Sequence, residues 1–172
     1  MLTIALPKGR IAEETLDKFE KAFGEKFIFE DRKLILEKAG FRFLNVRNQD
    51  VPTYVMHGAA DLGVVGLDVL EEKEYDLIKL LDLQLGKCKV AFGLRKGEEL
   101  DFNKSKITIA TKHEVIAKKF FEQKAMAVEI IKLYGSIELA PLVGLCECIV
   151  DLVETRETMK QTCLEVGATI IE

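Results

Sequence analysis

The feature that most constrains this chain is a rhythm. Short apolar runs of strand length break into a polar turn and pass straight into a helical stripe. "LTIALPKGR" sets the pattern: Leu2 to Leu6 reads as a buried strand breaking at Pro7, and Arg10 to Phe23 places Ile11, Leu16, Phe19 and Phe23 on one helical stripe. "DRKLILE" and "FRFLNV" predict two strands joined through Lys38-Ala39-Gly40. "DVPTYVMHG" then predicts a two-turn helix with Pro close to its first position. "DLGVVG" follows as a buried strand, and Leu67 to Lys73 as a short helix opening at the Gly66-x-Asp68 corner. Such alternation implies a parallel sheet with ligands at the carboxyl ends of its strands.

Residues 77 to 94 hold two more strand-like runs, "LIKLLDL" and "KVAFGL", and the polar "RKGEELDFNKSK" after them is the best linker candidate. The rhythm then restarts. "ITIAT" reads as strand, Glu114 to Gln123 as helix, "AVEIIKLY" as strand, "SIELAPLVG" as helix and "CIVDLV" as strand; Glu157 to Glu165 reads as helix and "ATII" as a final strand. The fold class is therefore α/β in two lobes, split near residues 86 to 105. Lobe I takes residues 1–88, rejoined by 166–172, and lobe II takes 89–165.

Charge and cysteine content exclude several functions. A net charge of −4 argues against a broad nucleic-acid footprint, so an anionic ligand must meet a local patch. The four cysteines form no CxxC pair, and with only His57 and His113 there is no zinc spacing. Reduced thiols and the lack of a signal-type or membrane-spanning apolar stretch point to a soluble, cytoplasmic protein.

Three stretches carry candidate chemistry. In "LPKGR", Gly9 between Lys8 and Arg10 opens a helix, which suits phosphate oxygens; a turn glycine flanked by two solvated cations is the plainer alternative. In "RNQDVPTYVMHGAADLGVVGLDVL", Arg47 and Asp68 stand at strand ends and helix starts as substrate contacts, whereas Asp50 reads better as a helix N-cap. In "LYGSIELAPLVGLCECIVDLVETRET", Gly135 and Ser136 precede a helix, and Glu138 is either a ligand contact or a dipole-stabilising first-turn acid. Cys146 and Cys148, two apart and on one face, read as small buried packing residues. Asp151 and Glu154, followed by the hydroxyls of Thr155 and Thr158, pair acceptors for sugar hydroxyls with donors for a phosphate; ordinary helix capping around Thr155, Arg156 and Glu157 is the alternative. No nucleophile–base pair can be assembled, and His57 and His113 have no evident partner.

Together, "LPKGR", "RNQDVPTYVMHGAADLGVVGLDVL", "KITIATK" and "EIIKLYGSIELAPLVGLCECIVDLVETRET" resemble the catalytic subunit of ATP phosphoribosyltransferase in its short form, over most of residues 1 to 160. The resemblance implies a two-lobed fold similar to type II periplasmic binding proteins, with the active site in the cleft between lobes. It implies transfer of the 5-phosphoribosyl group of phosphoribosyl pyrophosphate to N1 of ATP, the first step of histidine biosynthesis. Asp151 and Glu154 would engage the ribose hydroxyls, and Thr155, Arg156, Glu157 and Thr158 would wrap the 5-phosphate. Lys8, Gly9, Arg10, Arg47, Gly66 and Asp68 would face ATP or pyrophosphate, with Ser136 and Glu138 as further substrate contacts. Magnesium would come with the pyrophosphate, held largely by substrate oxygens. The implied partner is a histidyl-tRNA-synthetase-like regulatory subunit, bound by a homodimer within a hetero-oligomer, with neither nucleic acid nor membrane involved.

The chain departs from the family pattern at three places. Arg156 stands where members have Gly in a Thr-Gly-x-Thr turn, adding a cation but losing easy positive-φ geometry. Cys146-Glu147-Cys148 replaces Ala-Asp-Ala, and His113-Glu114 replaces a Tyr/Phe-Pro pair. Short members also continue for a few tens of residues beyond the position of Glu172 and return to the first lobe. Because fold does not fix function, a non-catalytic small-molecule-binding or sensing protein of the same fold is the competing reading.

Overall fold

The computed structural model describes residues 1–101, 103–153 and 164–171, the last stretch mostly as backbone. The chain divides into two compact units, Met1–Gly86 and Lys87–Glu172. Among the described residues no helix is long and apolar enough to cross a membrane.

In the first unit, β1 (Leu2–Pro7) is flanked on both sides by parallel partners, β3 (Phe41–Val46) and the two-residue β4 (Leu62–Gly63). β2 (Ile35–Lys38) closes the edge antiparallel to β3, giving the order β2-β3-β1-β4. The β2–β3 turn is the predicted one: Ala39 and Gly40 both take positive φ, 52° and 81°, as a two-residue hairpin that follows the strand twist requires. Strand alternation sorts the core. Ile4 and Leu6 face α1 (Arg10–Phe23) with Leu16, Phe27 and Phe43, while Ala5 faces α2 (Val51–Met56) with Val51 and Ala60. Phe19 meets Phe43 edge-on at 5.1 Å between ring centroids, an arrangement that matches ring quadrupoles and fills the α1 side. A 3₁₀ turn (Asn48–Asp50) leads into α2, and α3 (Leu67–Lys73) follows β4.

The second unit has the order β7-β6-β8-β5-β9. β6 (Ile107–Thr111) pairs parallel with β7 (Val128–Lys132) and β8 (Cys148–Val153), and β5 (Lys89–Arg95) pairs antiparallel with β8 and β9 (Leu164–Ile171). α4 (Glu114–Gln123) covers one face, burying Ile116, Ala117 and Phe121 against Ile107, Ile109 and Val150. α5 (Leu139–Leu142) lies on the other with Ala91, Ala110 and Ile149. The Arg95 guanidinium donates to the Pro141 carbonyl and ties β5 to α5.

Several expectations are corrected. "LIKLLDL" forms no strand: Ile78, Leu80 and Leu81 are 86%, 72% and 78% exposed, so the run's apolarity does not translate into burial. "SIELAPLVG" contributes only the four-residue α5, because Ser136 at φ 47° breaks the helical path before it. Glu165, predicted to end a helix, lies in β9. Residues 166–171, expected to return to lobe I, lie in β9, which pairs with β5 in the second unit's sheet. Asp50, predicted as an N-cap, makes no side-chain capping bond and is itself in helical geometry. Cys146 and Cys148 are both buried with free thiols, yet they do not share a face. Cys146 precedes β8 and joins the α5-side core, whereas Cys148 joins the α4-side core.

Burial pushes both thiols up, Cys148 to about 12, so little thiolate forms at neutral pH. Peptide mapping after brief alkylation at pH 8 should find Cys88 modified and Cys146 and Cys148 protected until denaturant is added.

Candidate functional site

The carboxyl ends of β1, β3 and β4 place the first unit's candidates along one sheet edge. The Lys8 amide donates to the Val46 carbonyl at 2.8 Å, carrying the β1–β3 pairing past Pro7. Gly9 then turns the chain at φ 99°, and no atom lies within 4 Å of where a Cβ would sit. Conformation, not crowding, is what reserves this position for glycine. Gly9 caps α1 without a side-chain bond, so the helix's positive end carries no side-chain cap. Lys8 and Arg10 flank it in solvent, and Arg10 lies 3.3 Å from Glu14.

Arg47 is exposed in extended geometry just after β3. Gly66 and Asp68 are brought together: a Cβ on Gly66 would fall 2.3 Å from Asp68 Oδ1 and 3.8 Å from Asn48 Nδ2, so glycine makes room for the carboxylate. Asn45 and Asn48 each hold a buried Oδ1 with no hydrogen-bond partner in the structure. Sequence reasoning missed both asparagines; the signal available was their place at the carboxyl end of a parallel strand.

In the second unit the edge is organised by Thr111, which is fully buried. Its hydroxyl donates to the Val150 carbonyl at 2.6 Å and accepts from the His113 amide at 2.8 Å, joining β6, β8 and the approach to α4. One residue beyond that bridge on each strand, Lys112 lies 3.2 Å from Asp151 Oδ1. The Leu152 amide donates to the same oxygen at 2.8 Å. Beside them, Lys132 at the end of β7 pairs with Glu114 at the start of α4, at 2.8 Å. Ser136 and Glu138 follow β7, Ser136 exposed and Glu138 half-buried, with β6 standing between their strand and that of Asp151. Glu154, Thr155, Arg156, Glu157 and Thr158 lie outside the described residues.

At the opposite end of these strands, Glu147 accepts from Lys104 and from the Thr108 amide, and the two bonds hold its carboxyl below the usual carboxylate range. That pair fixes the loop before β8. His113 is buried and His57 exposed.

A family model described as ATP phosphoribosyltransferase (HisG) matches residues 47–172. An ATP phosphoribosyltransferase from Wolinella succinogenes is 67% identical over 172 residues, all of this chain and 84% of the relative. Among solved structures, the ATP phosphoribosyl transferase (HisG:HisZ) complex from Thermotoga maritima superposes with a TM-score of 0.84 at 37% identity, covering 99% of this chain and 83% of that one. The periplasmic VFT2 domain of Bordetella pertussis BvgS, at 10% identity and a TM-score of 0.57 over 98% of this chain and 74% of its own, shares the fold alone.

The Thr111 bridge makes a stability prediction. Thr111→Val leaves the buried His113 amide and Val150 carbonyl without that hydroxyl, and urea titration should show a loss of about 1–3 kcal/mol. Thr111→Ser keeps the hydroxyl and should recover most of it.

Proposed function

Because the chain belongs to the ATP phosphoribosyltransferase (HisG) family, we propose that the carboxyl ends of β6, β7 and β8 receive phosphoribosyl pyrophosphate and that those of β1, β3 and β4 meet ATP or pyrophosphate. The reaction is the family's, the first step of histidine biosynthesis: N1 of ATP bonds to C1 of the ribose as the C1–oxygen bond to pyrophosphate breaks, and pyrophosphate leaves with the electron pair.

The observation that carries this assignment is the Asp151 carboxylate, held at the Lys112–Leu152 corner through one oxygen. Its other oxygen has no partner among the described residues and can accept from a ribose hydroxyl. Positive charge grows on the ring as pyrophosphate departs, and a fixed carboxylate nearby stabilises it without a protein nucleophile. Glu154 would share the ribose, and Thr155 to Thr158 the 5-phosphate; for these the support is the family motif in the sequence. Ser136 and Glu138 supply further contacts on the phosphoribosyl side. In the first unit, the helix start after Gly9 with Lys8, Arg10 and Arg47 suits phosphate oxygens, and Asp68 over Gly66 supplies an acceptor.

Among the described residues no three His, Cys, Asp or Glu side chains converge to cage a metal. Magnesium would enter with the pyrophosphate-bearing substrate, bound through its oxygens. A histidyl-tRNA-synthetase-like regulatory subunit is the partner, since the related Thermotoga maritima structure is a HisG:HisZ complex. The cytoplasm, where thiols such as Cys88, Cys146 and Cys148 stay reduced, is the matching compartment. Likeness to periplasmic binding domains at 10% identity speaks to architecture only, and nothing specific favours a non-catalytic binder.

Incubated with its regulatory subunit, ATP, phosphoribosyl pyrophosphate and magnesium, the protein should release pyrophosphate and form N1-phosphoribosyl-ATP; chelating the magnesium should abolish product. Asp151→Asn should lower kcat/KM for phosphoribosyl pyrophosphate on the order of a hundredfold. A wild-type protein that made no adduct under any of these conditions would sink the reading. Arg156→Gly separates cation from turn: if Arg156 touches the 5-phosphate, KM for phosphoribosyl pyrophosphate should change more than KM for ATP, and equal changes would count against that contact.

A further inference from the structure

We propose that Lys112 is a positioning residue for Asp151: its ammonium and the Leu152 amide together claim Oδ1 and thereby turn Oδ2 toward the ribose. The inference rests on the reading of Asp151 as a ribose contact. Three observations carry it. First, the β6–β8 register ends with Thr111 opposite Val150, so the next residue of each strand, Lys112 and Asp151, is brought alongside its counterpart by the sheet itself. Second, both groups meet the same oxygen, the lysine as an ion pair at 3.2 Å and the amide as a hydrogen-bond donor at 2.8 Å, and none of the described residues bonds Oδ2. Third, the pair is largely shielded, with side-chain exposures of 33% for Lys112 and 21% for Asp151, so water competes less than at an open surface pair.

A carboxylate has one rotational freedom about its Cβ–Cγ bond. The Leu152 amide alone leaves either oxygen able to serve as acceptor, whereas a cation on one side selects a single orientation. The ammonium has a second effect. Asp151 brings a negative charge to a place that must receive a pyrophosphate-bearing substrate, and Lys112 offsets that charge without occupying Oδ2. An apolar residue at 112 would remove both effects while leaving the strand pairing intact.

The test is a kinetic cycle on the full chain with its regulatory subunit, using wild type, K112A, K112R, D151N and K112A/D151N. K112A should raise KM for phosphoribosyl pyrophosphate roughly tenfold, as loss of a charged partner behind a ligand contact does. KM for ATP should stay within about twofold, and K112R should restore most of the loss. With D151N already in place, adding K112A should change little further, because the lysine then has no carboxylate to orient. Full additivity of the two changes, or equal effects of K112A on both substrates, would overturn the proposal. If K112A lost its cooperative thermal transition, K112M, an unbranched side chain that packs much like lysine but has neither charge nor N–H donor, would carry the same comparison. The premise is tested separately: a D151N enzyme with unaltered use of phosphoribosyl pyrophosphate removes Asp151 from the ribose, whereas an impaired D151N beside an unaffected K112A removes only the role of Lys112.

Discussion

The parallel register that sets Thr111 opposite Val150 decides where the polar side chains of the second unit fall. Side chains alternate along a strand, so a slip of one residue would send Asp151 to the other face and bury its charge against Ile116, Phe121 and their neighbours on the α4 side. The Thr111 hydroxyl opposes such a slip by bonding the Val150 carbonyl and the His113 amide at once. With that bridge in place, Lys112 is carried beside Asp151 and α4 begins where Glu114 can meet Lys132. The chemistry of this edge follows from one buried hydroxyl and the strands it fastens.

The first unit reaches a comparable end by different means. Its edge carries no charged bridge between β1 and β3 among the described residues; instead the backbone pairing continues from Pro7 to Lys8, and Gly9 makes the turn that opens α1. Aromatic packing behind the sheet holds these ends in place, with Phe19, Phe27, Phe41 and Phe43 in mutual ring contact. One unit thus offers a helix's positive end and exposed cations, and the other offers an oriented carboxylate. Anions and sugar hydroxyls ask for those respective groups.

Much of this was legible in the sequence because local signals agree with the tertiary outcome. α1 and α4 run over the residues their apolar stripes mark, and β6 and β8 coincide with "ITIAT" and "CIVDLV". Two of the errors share a cause: an apolar run does not reveal whether a partner strand exists. "LIKLLDL" has strand composition and no pairing, while the eight-residue Leu164–Ile171 pairs with β5 through two register shifts, and only its "ATII" carried a strand signal. The family motif pointed to Asp151 directly. Lys112 was invisible as a partner, because its meaning depends on which residue of β8 the sheet sets next to it. Asn45 and Asn48 escaped for the same reason, as their buried oxygens exist only once the strand ends assemble.

β5 lies between β8 and β9, so the first strand of the second sheet is an interior one and its last described strand is an edge. On the ribosome this has an uneven result. The four described strands of the first unit are all in place once Gly86 has emerged and can pair at that stage. β5 must wait through the synthesis of β6 and β7 for its first partner, and still longer for β9. During that interval it is an apolar strand with two open edges, the kind that invites pairing with other chains. The strand order thus makes the second unit the late-maturing half of the nascent protein, and the stage most in need of protection is the one before Ile171 is delivered.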